Sequence, residues 1–386
     1  MKSKYKFLCI IAALLGMIFT GCNDAEYDIR NNSVYIAEAT SAKAVNVAME
    51  ASGADVNVVV RLAKQLDYDV TVSMGLDTRL ISEYNEKNST EYVLVPSEHF
   101  SLPSDASVTI PAGDISATFK VHIENFDTQG KLYALPVIIK NVVKGEIIQS
   151  ATQAQLLYLI AKPLIVSVPV MKGYNSEGVK VHPNQDWNIR TKEWTIEAWV
   201  RMSAYSKNNQ AIFDNWGDGL TEVYIRFGDA NSPYNYLQVK TLGGQIQTER
   251  DLVANKWYHW AFVYDGTTFS IYRDGELNIK FNPPAPQGPG GTVEFQTLTM
   301  IGSGATYFPD QCAMSQVRFW KVARTPVQIK NNMYYEVDPT NSNLIGYWPM
   351  NEGSGNTFND ITGNGNNAVA GSHIIQRWEN NIRFDQ

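Results

Sequence analysis

The chain has 386 residues, and its 39 Asp and Glu residues outnumber its 32 Lys and Arg residues, giving a formal net charge of −7. An acidic surface repels phosphate backbones and anionic lipid headgroups, so no nucleic-acid partner is expected. A chain of this length is expected to form two domains, each large enough to bury its own hydrophobic core.

The first 22 residues have the layout of a secretory signal. Three lysines precede an apolar run at 7–19, which stops at Thr20-Gly21-Cys22. This run is shorter than the roughly 18 residues that a membrane-spanning helix needs. Small residues directly before a cysteine resemble the bacterial lipobox, which implies that residues 1–21 are a lipoprotein signal peptide and that Cys22 carries the lipid. The alternative is an ordinary cleaved signal with a chance cysteine.

Residues 22–33 are expected to be an acidic leader and linker. The stretch from Asn23 to Asp28 resembles the tag that directs Bacteroidetes lipoproteins to the outer face of the outer membrane. Removal of residues 1–21 takes away three lysines and leaves 29 basic against 39 acidic residues, a formal charge of −10. Cys312 would then be the one cysteine neither removed nor acylated, so no disulfide within the chain is expected.

Residues 34–162 are predicted to form a sandwich of short antiparallel strands. Apolar and polar residues alternate with the period of a half-buried strand at 43–49, 56–61, 68–73 and 115–123. One helix is predicted among them, with Asp77 as its N-cap and its end at Asn88. About seven strands and one helix in this length are typical of an immunoglobulin-type β-sandwich.

Spaced motifs in this first domain resemble a Bacteroidetes lipoprotein domain family of unknown function. The motifs are Tyr84 to Asn88, Tyr92 to Pro96, Val108 to Gly113 and Tyr133 to Pro136. Members of that family commonly precede glycosidase or laminin-G-like modules. The resemblance implies a spacer or platform and no particular chemistry.

Residues 163–386 are predicted to be a second all-β domain that contains all nine tryptophans. Strands are predicted at 194–201, 257–264 and 268–273, tight turns at Asp265-Gly266 and Asp274-Gly275, and an exposed loop at 282–291. Because strand 257–264 is apolar on both faces, His259 is expected to be a buried, hydrogen-bonded core residue. Arg318 and Glu352 are expected to form a structural pair.

Seven blocks of the second domain resemble the laminin-G and pentraxin-like branch of concanavalin A-like jelly rolls. In chain order they are Trp194–Val200, Trp257–Gly266, Ile271–Glu276, Met300–Ser303, Gln316–Thr325, Gly346–Gly353 and Asp360–Gly365. The resemblance implies a jelly-roll sandwich behind the immunoglobulin-type domain. The chain departs from the family at Gln311 to Met314, where a glycine usually begins the strand, and this leaves the geometry of the adjoining loop open.

Catalysis is one function that this fold can carry. Glycosidases with this fold present carboxylates from one strand as Glu-x-Asp-x-Glu, and retaining enzymes hold two carboxyl groups about 5 to 5.5 Å apart. The nearest match, Glu193 to Glu197, has threonine at its centre, and its two Glu Cα atoms would lie about 13 Å apart. Glu197 also belongs to a block shared with non-enzymatic modules. We therefore expect no catalytic residue, and a glycosidase that uses Glu193 and Glu197 remains the alternative.

Ligand binding is predicted in the segments between the blocks, where aromatic residues stand beside hydrogen-bonding groups. A sugar has apolar C–H faces and a rim of hydroxyls, which an aromatic ring next to Asp or Asn can accommodate. The predicted glycan-binding residues are Trp216, Asp218, Tyr234, Tyr236, Tyr307 and Asp310. The alternative for each ring is that it caps one end of the sandwich.

Asp214, Asn215 and Asp218 are candidate calcium ligands, because they offer closely spaced hard oxygen atoms. Laminin-G-like modules often hold calcium near their binding rim, although this spacing matches no calcium loop. The family resemblances together imply a non-catalytic lipoprotein of the outer membrane, facing the cell exterior, that holds oligosaccharide for a polysaccharide-uptake system. Other surface lipoproteins of that system are expected partners, and a protein-adhesion or scaffold role is a further alternative.

Overall fold

The computed structural model describes residues 32–88, 90–145, 147–181, 187, 189–215, 217, 220–284 and 292–384. This part of the chain is built mainly of β-strands in two successive sandwiches, which confirms the predicted fold class. The predicted signal, Cys22 and the acidic stretch after it lie outside the described residues. Among those residues, no helix has both the length and the apolar character needed to cross a bilayer.

The first sandwich has the immunoglobulin-like form that was predicted. Its strands are β1 (Ser33–Ile36), β2 (Ala44–Ala48), β3 (Ala54–Leu62), β4 (Val70–Leu76), β5 (Val93–Leu94), β6 (Phe100–Ser101), β7 (Ser107–Ile110), β8 (Ser116–Ile123), β9 (Tyr133–Lys144), β10 (Ile148–Gln149) and β11 (Gln155–Ala161). One sheet has the order β10-β1-β3-β8-β6, and the other has the order β2-β11-β9-β4-β7 with β5 beside β9.

Alternation along the strands builds the core of this sandwich. In β3 the side chains of Val56, Val58 and Val60 are buried and the residues between them point outward, as the period of two requires. Helix α1 (Arg79–Asn88) begins directly after Asp77, whose carboxylate accepts a hydrogen bond from the Arg79 N–H at 3.0 Å. The N-cap prediction is therefore confirmed. Short 3₁₀ turns occur at Ala37–Thr40 and Ser97–His99.

The second sandwich contains the remaining strands and two short helices. The strands are β12 (Val166–Met171), β13 (Val179–Val181), β14 (Ile189–Thr191), β15 (Trp194–Met202), β16 (Gln210–Asp214), β17 (Val223–Phe227), β18 (Leu237–Thr241), β19 (Gly244–Gln247), β20 (Tyr258–Tyr264), β21 (Phe269–Arg273), β22 (Glu276–Phe281), β23 (Val293–Phe295), β24 (Thr299–Met300), β25 (Cys312–Trp320), β26 (Leu344–Trp348), β27 (Thr357–Phe358), β28 (Ala368–Ala370) and β29 (Ile375–Ile382). The helices are α2 (Gly304–Tyr307) and α3 (Pro326–Asn332).

Two large sheets face each other in this sandwich, and they differ in what covers their outer sides. The covered sheet has the order β22-β21-β20-β15-β25-β12-β29, with β26 beside β25. Every residue of β20 and β25 is buried, because further chain packs on the outer side as well as on the core side. The open sheet has the order β19-β18-β17-β16-β24-β13-β28-β27, and on its outer side Lys180, Lys240, Gln245 and Gln247 are exposed.

Local predictions for the second sandwich agree with this arrangement. Asp274 and Gly275 both have positive φ angles, 53° and 80°, as the two-residue turn between β21 and β22 requires. The departure at Gln311 to Met314 does not interrupt β25, which begins at Cys312 with its thiol side chain buried and unpaired. The predicted loop at 282–291 lies mostly outside the described residues.

The two sandwiches touch each other through polar and backbone contacts. Arg383 Nη1 of the second domain lies 3.8 Å from Glu50 Oε1 of the first. A side chain on Gly130 would collide with the carbonyl of Val337, so the backbones of the two domains approach closely there. The domains are therefore in direct contact beyond the connecting segment at Lys162-Pro163.

Candidate functional site

The described members of the predicted glycan-binding and calcium-binding sets fall at opposite ends of the open sheet. Strand β16 shows this, because it begins at Gln210 and ends at Asp214. At the start of β16, Gln210 Nε2 donates a hydrogen bond to Asp310 Oδ2 at 2.8 Å. At the other end of the strand, Asn215 is the next residue. At about 3.4 Å per residue the two ends are roughly 13 Å apart. These residues therefore do not form one compact site.

Asn215 is a structural residue, and its predicted role as a calcium ligand is wrong. Its side chain is fully buried. Its amide group donates to the carbonyls of Thr221 and Glu294, and its Oδ1 accepts from the N–H groups of Gly217 and Val223. Both lone pairs of that oxygen are occupied, which leaves none for a cation.

The other members of the calcium prediction do not restore a site. Asp214 is half-buried on the open sheet, and Asp218 lies outside the described residues. Within the described part of the chain, no group of three or more His, Cys, Asp or Glu residues is arranged to hold a metal ion.

Tyr236 was predicted to bind glycan, and that prediction is also wrong. Its ring is 1% exposed, and the Arg250 guanidinium lies over it, 4.3 Å from the ring centroid. Its hydroxyl accepts a hydrogen bond from the Asp229 N–H at 2.9 Å. Tyr236 therefore holds the β17–β18 loop in place and has no ring face to offer a ligand. Tyr234, in the same loop, is half-buried against Gly228.

Asp310 joins two loops at this end of the sheet. Its Oδ2 accepts from the Ser206 N–H at 2.7 Å and from Gln210 Nε2, while its Oδ1 accepts from Ser206 Oγ at 2.6 Å. Both carboxylate oxygens are engaged within the protein, which makes Asp310 a positioning residue for the loop that follows α2. Trp216, the remaining predicted glycan-binding residue, lies outside the described residues.

Tyr307 is exposed, and the fold brings further aromatic groups to its end of the sheet. Its exposed fraction is 44%. It lies in α2 after β24, next to the loop before β13, because the Ala305 N–H donates to the Asn175 carbonyl at 2.9 Å. In that loop Tyr174 is 39% exposed and stacks on His373, with 4.3 Å between ring centroids and 28° between planes.

A carboxylate completes this group of side chains. Glu177 Oε1 lies 4.0 Å from His373 Nδ1, and the carboxylate rests against Gly371, where a Cβ would collide with it. We call Tyr174, Glu177, Tyr307 and His373 the loop-end patch. It presents two exposed aromatic rings, an imidazole and a carboxylate at one end of the open sheet.

Sequence reasoning found Tyr307 and missed the other three members of the patch. Tyr174-Asn175 carries the same signal of an aromatic residue beside an amide that singled out the other candidates. His373 and Glu177 carry no local signal. They meet because β13 lies beside β28, with Val179 opposite Ala370.

The outer side of the open sheet presents a continuous row of cross-strand neighbours. Consecutive members of the row pair across neighbouring strands, in the order Gln245, Lys240, Tyr224, Asp214, Thr299 and Lys180. Burial raises the pKa of the Tyr224 hydroxyl, and the Arg226 guanidinium lies over its ring at 5.1 Å. The row is polar and carries charges of both signs.

Glu197, the residue of the glycosidase alternative, lies in a buried cluster of charged side chains. It has no exposed surface. Its Oε1 lies 3.3 Å from Arg324 Nε, and its Oε2 lies 3.8 Å from Arg318 Nη1 and 3.7 Å from His259 Nε2. Strand register explains the cluster, because Glu197 in β15 stands opposite Arg318 in β25. The predicted pairing of Arg318 with Glu352 is therefore wrong.

His259 is buried as predicted, and only one of its ring nitrogens, Nε2, lies near a charged partner, Glu197. No described residue is a hydrogen-bond partner of its Nδ1. Burial lowers the pKa of His259 well below 6.5, and the positive charges of Arg318 and Arg324 lower it further. The neighbouring Glu197 does not overcome these effects, so His259 is neutral at pH 7. Burial also lowers the pKa of Arg324.

Comparisons with known proteins agree with this fold. The family model of the concanavalin A-like lectin/glucanases superfamily matches residues 173–330, and a second model, described as an N-terminal domain, matches residues 29–146. None of the curated protein sequences matches the chain.

The chain is also similar to proteins of solved structure, and the first of the two described next shares its fold. A Bacteroides ovatus protein provisionally described as carbohydrate-binding is 23% identical, with a TM-score of 0.58 over 91% of this chain and 99% of that chain. A pentraxin from Limulus polyphemus is 13% identical, with a TM-score of 0.33 over 43% of this chain and 80% of that chain. The protein therefore contains a domain of the concanavalin A-like lectin/glucanases superfamily, behind an immunoglobulin-like N-terminal sandwich.

Proposed function

We propose that this protein binds glycan through the loop-end patch and that it does so without catalysis. The observation that carries the proposal is the exposed stack of Tyr174 on His373, beside the loop that holds the exposed Tyr307. Exposed aromatic side chains at an otherwise polar loop end have unburied apolar faces that a ligand can cover.

The chemistry of the patch suits a sugar. Aromatic rings pack against the C–H faces of a pyranose or furanose, and the Glu177 carboxylate can accept hydrogen bonds from hydroxyls. The Glu177 side chain is 32% exposed, although its Oε2 is buried against Gly371. The Bacteroides ovatus relative with the same two-domain architecture is itself provisionally described as carbohydrate-binding, which supports the proposal.

The absence of catalysis is proposed from the state of the Glu193 to Glu197 strand. A retaining glycosidase needs two carboxyl groups that both reach the substrate. Glu193 is exposed, whereas Glu197 is fully buried beneath α3 and the loop after it, between two guanidinium groups. This arrangement favours a structural role for Glu197.

A glycan array with the soluble chain from Asn23 onward tests the proposal, with titration calorimetry on each glycan that binds. We expect binding that falls about ten-fold in Tyr307→Ala and is unchanged in Trp216→Ala. Weaker binding in Trp216→Ala, together with unchanged binding in Tyr307→Ala, would contradict a site at the loop-end patch. No binding to any glycan, together with capture of a partner lipoprotein, would replace the proposal by the adhesion alternative. Running the array with and without a chelator tests the calcium prediction.

We further propose that Cys22 anchors the protein to the outer membrane, facing the cell exterior, as part of a polysaccharide-uptake system. The lipobox-like residues before Cys22 and the acidic stretch after it support this location. Metabolic labelling with a palmitate analogue should mark the wild type and not Cys22→Ala. Protease added to intact cells should degrade the wild-type protein, and its survival there would contradict the outward orientation.

A further inference from the structure

A cleft lies between the two domains, on a different part of the molecule from the loop-end patch. It consists of two cavities of about 390 Å³ and about 280 Å³, each lined by residues of both domains. Lys131 and Leu132 line both cavities, so the two are adjacent at this segment. We call the two cavities together the interdomain cleft.

The cleft is held open by close contacts at its edge. Gly130 has a φ of +71°, and a Cβ there would overlap the Val337 carbonyl, so the backbones meet as closely as they can beside the cavities. The pair of Arg383 with Glu50 joins the domains at a further point. The cavities are therefore spaces beside a tight contact and not a gap between loosely placed domains.

The larger cavity combines aromatic and polar side chains from both domains. Tyr92 comes from the first domain and Tyr335 from the second, and the approach of their hydroxyls contributes to raising the pKa of Tyr92. Amides and carboxylates complete the lining, including Asn125, Asp127 and Glu336. Its volume falls within the range of roughly 300–1,000 Å³ that is typical of ligand sites, which often occur at domain interfaces.

The smaller cavity is lined by side chains that are already fixed in position. Arg324 stacks over the Trp320 ring at 4.1 Å and donates to Asn332 Oδ1 at 2.6 Å. Trp320 is 3% exposed and its Nε1–H is buried, so fixed side chains shape this wall of the cavity.

The charges of the cleft select the class of ligand. Carboxylates outnumber cationic side chains along its lining, so an anionic ligand would be repelled. Tyrosine rings, amides and carboxylates match a neutral molecule with many hydroxyl groups and apolar C–H faces. We propose that the interdomain cleft is a second binding site, for a neutral oligosaccharide, formed jointly by the two domains. The first domain thus supplies half of a ligand site, beyond the spacer role that its sequence implied.

Calorimetric titration of the chain from Asn23 onward with cellohexaose, xylohexaose, mannohexaose and maltohexaose tests the proposal. Lys131→Trp fills the cleft where its two cavities meet, and Lys120→Trp is the matched control at an exposed strand position of the first domain. We expect two sites per chain for at least one hexasaccharide. One of them should weaken at least ten-fold in Lys131→Trp, and both should persist in Lys120→Trp. Hydrogen exchange should slow at 125–132 and 333–338 when that hexasaccharide binds.

The outcomes separate this proposal from binding at the loop-end patch. A single site that is lost in Tyr307→Ala and unaffected by Lys131→Trp would overturn the cleft and leave the patch standing. Two sites that both survive in Lys131→Trp, without slower exchange at 125–132, would also overturn the cleft. If Lys131→Trp abolishes the site that Tyr307→Ala leaves intact, the cleft proposal is supported. No binding of any of the four sugars would overturn the cleft proposal, whereas the glycan array decides the loop-end patch.

Discussion

Tyr174 and His373 stack face to face with 4.3 Å between their ring centroids, although they come from opposite ends of the second domain's sequence. Adjacent strands β13 and β28 bring them together, since the loop before β13 and the loop after β28 leave the sheet at the same end. Neighbouring α2 adds Tyr307 to that end. The loop-end patch is thus a product of strand order.

The patch yields a prediction for Tyr174→Ala. Loss of the exposed ring removes both its stack on His373 and its contact with a sugar face, so the affinity for a bound glycan should fall about ten-fold, or roughly 1.4 kcal/mol. Tyr68→Ala is the matched control, because Tyr68 is 39% exposed like Tyr174 but belongs to the first domain. Calorimetry on both variants measures the difference. Equal affinities in the two variants would remove Tyr174 from the site.

Asn215→Ala should destabilise the second domain by about 2–4 kcal/mol, because it leaves buried N–H and C=O groups without partners. Denaturant unfolding followed by tryptophan fluorescence measures this, since all nine tryptophans belong to that domain. Asn231→Ala, at an exposed position, should change the stability by less than about 0.5 kcal/mol. A loss as small as the control's would show that the four Asn215 bonds contribute little.

Glu197→Gln tests the buried cluster and the glycosidase alternative together. Removing its charge leaves the buried Arg318 and Arg324 uncompensated, so the second domain should lose about 3–5 kcal/mol of stability. Glu193→Gln, at an exposed position, should leave the stability unchanged. Chromatography of glycan products provides the second measurement. Product release by the wild type that disappears in Glu193→Gln would establish the glycosidase and refute a non-catalytic protein.

His259 should make the second domain less stable in mild acid. Its pKa in the folded state lies well below 6.5, so only the unfolded chain binds the proton as the pH falls through this value. Protonation therefore favours unfolding, and this contribution to stability falls by up to about 1.4 kcal/mol per pH unit below pH 6.5.

Comparison with His259→Gln isolates this effect. The fluorescence-detected free energy of unfolding should depend less steeply on pH in the variant than in the wild type between about pH 6.5 and 5. His122→Gln, which removes an exposed histidine of the first domain, should retain the wild-type slope. Parallel curves for all three proteins would mean that His259 does not titrate differently on unfolding.

The sequence alone determined the local structure of this protein. Alternation predicted β2, β3 and β8, Asp77 predicted the start of α1, and Asp274-Gly275 predicted a turn, because each of these depends on residues close together in the chain. The two sandwiches follow from the same patterns together with the family resemblance. Burial of His259 also followed, since its strand is apolar on both faces.

Only the tertiary structure decided which residues share a site. The order and direction of strands separate Asn215 from Asp310, bury Tyr236, and join Tyr174 to His373. They also place Arg318 opposite Glu197, whereas the sequence had predicted a pair of Arg318 with Glu352. These relationships depend on hydrogen-bonded register between strands far apart in the chain. Local periodicity shows which face of a strand is buried, but not which distant strand lies beside it or which of its ends meets a given loop.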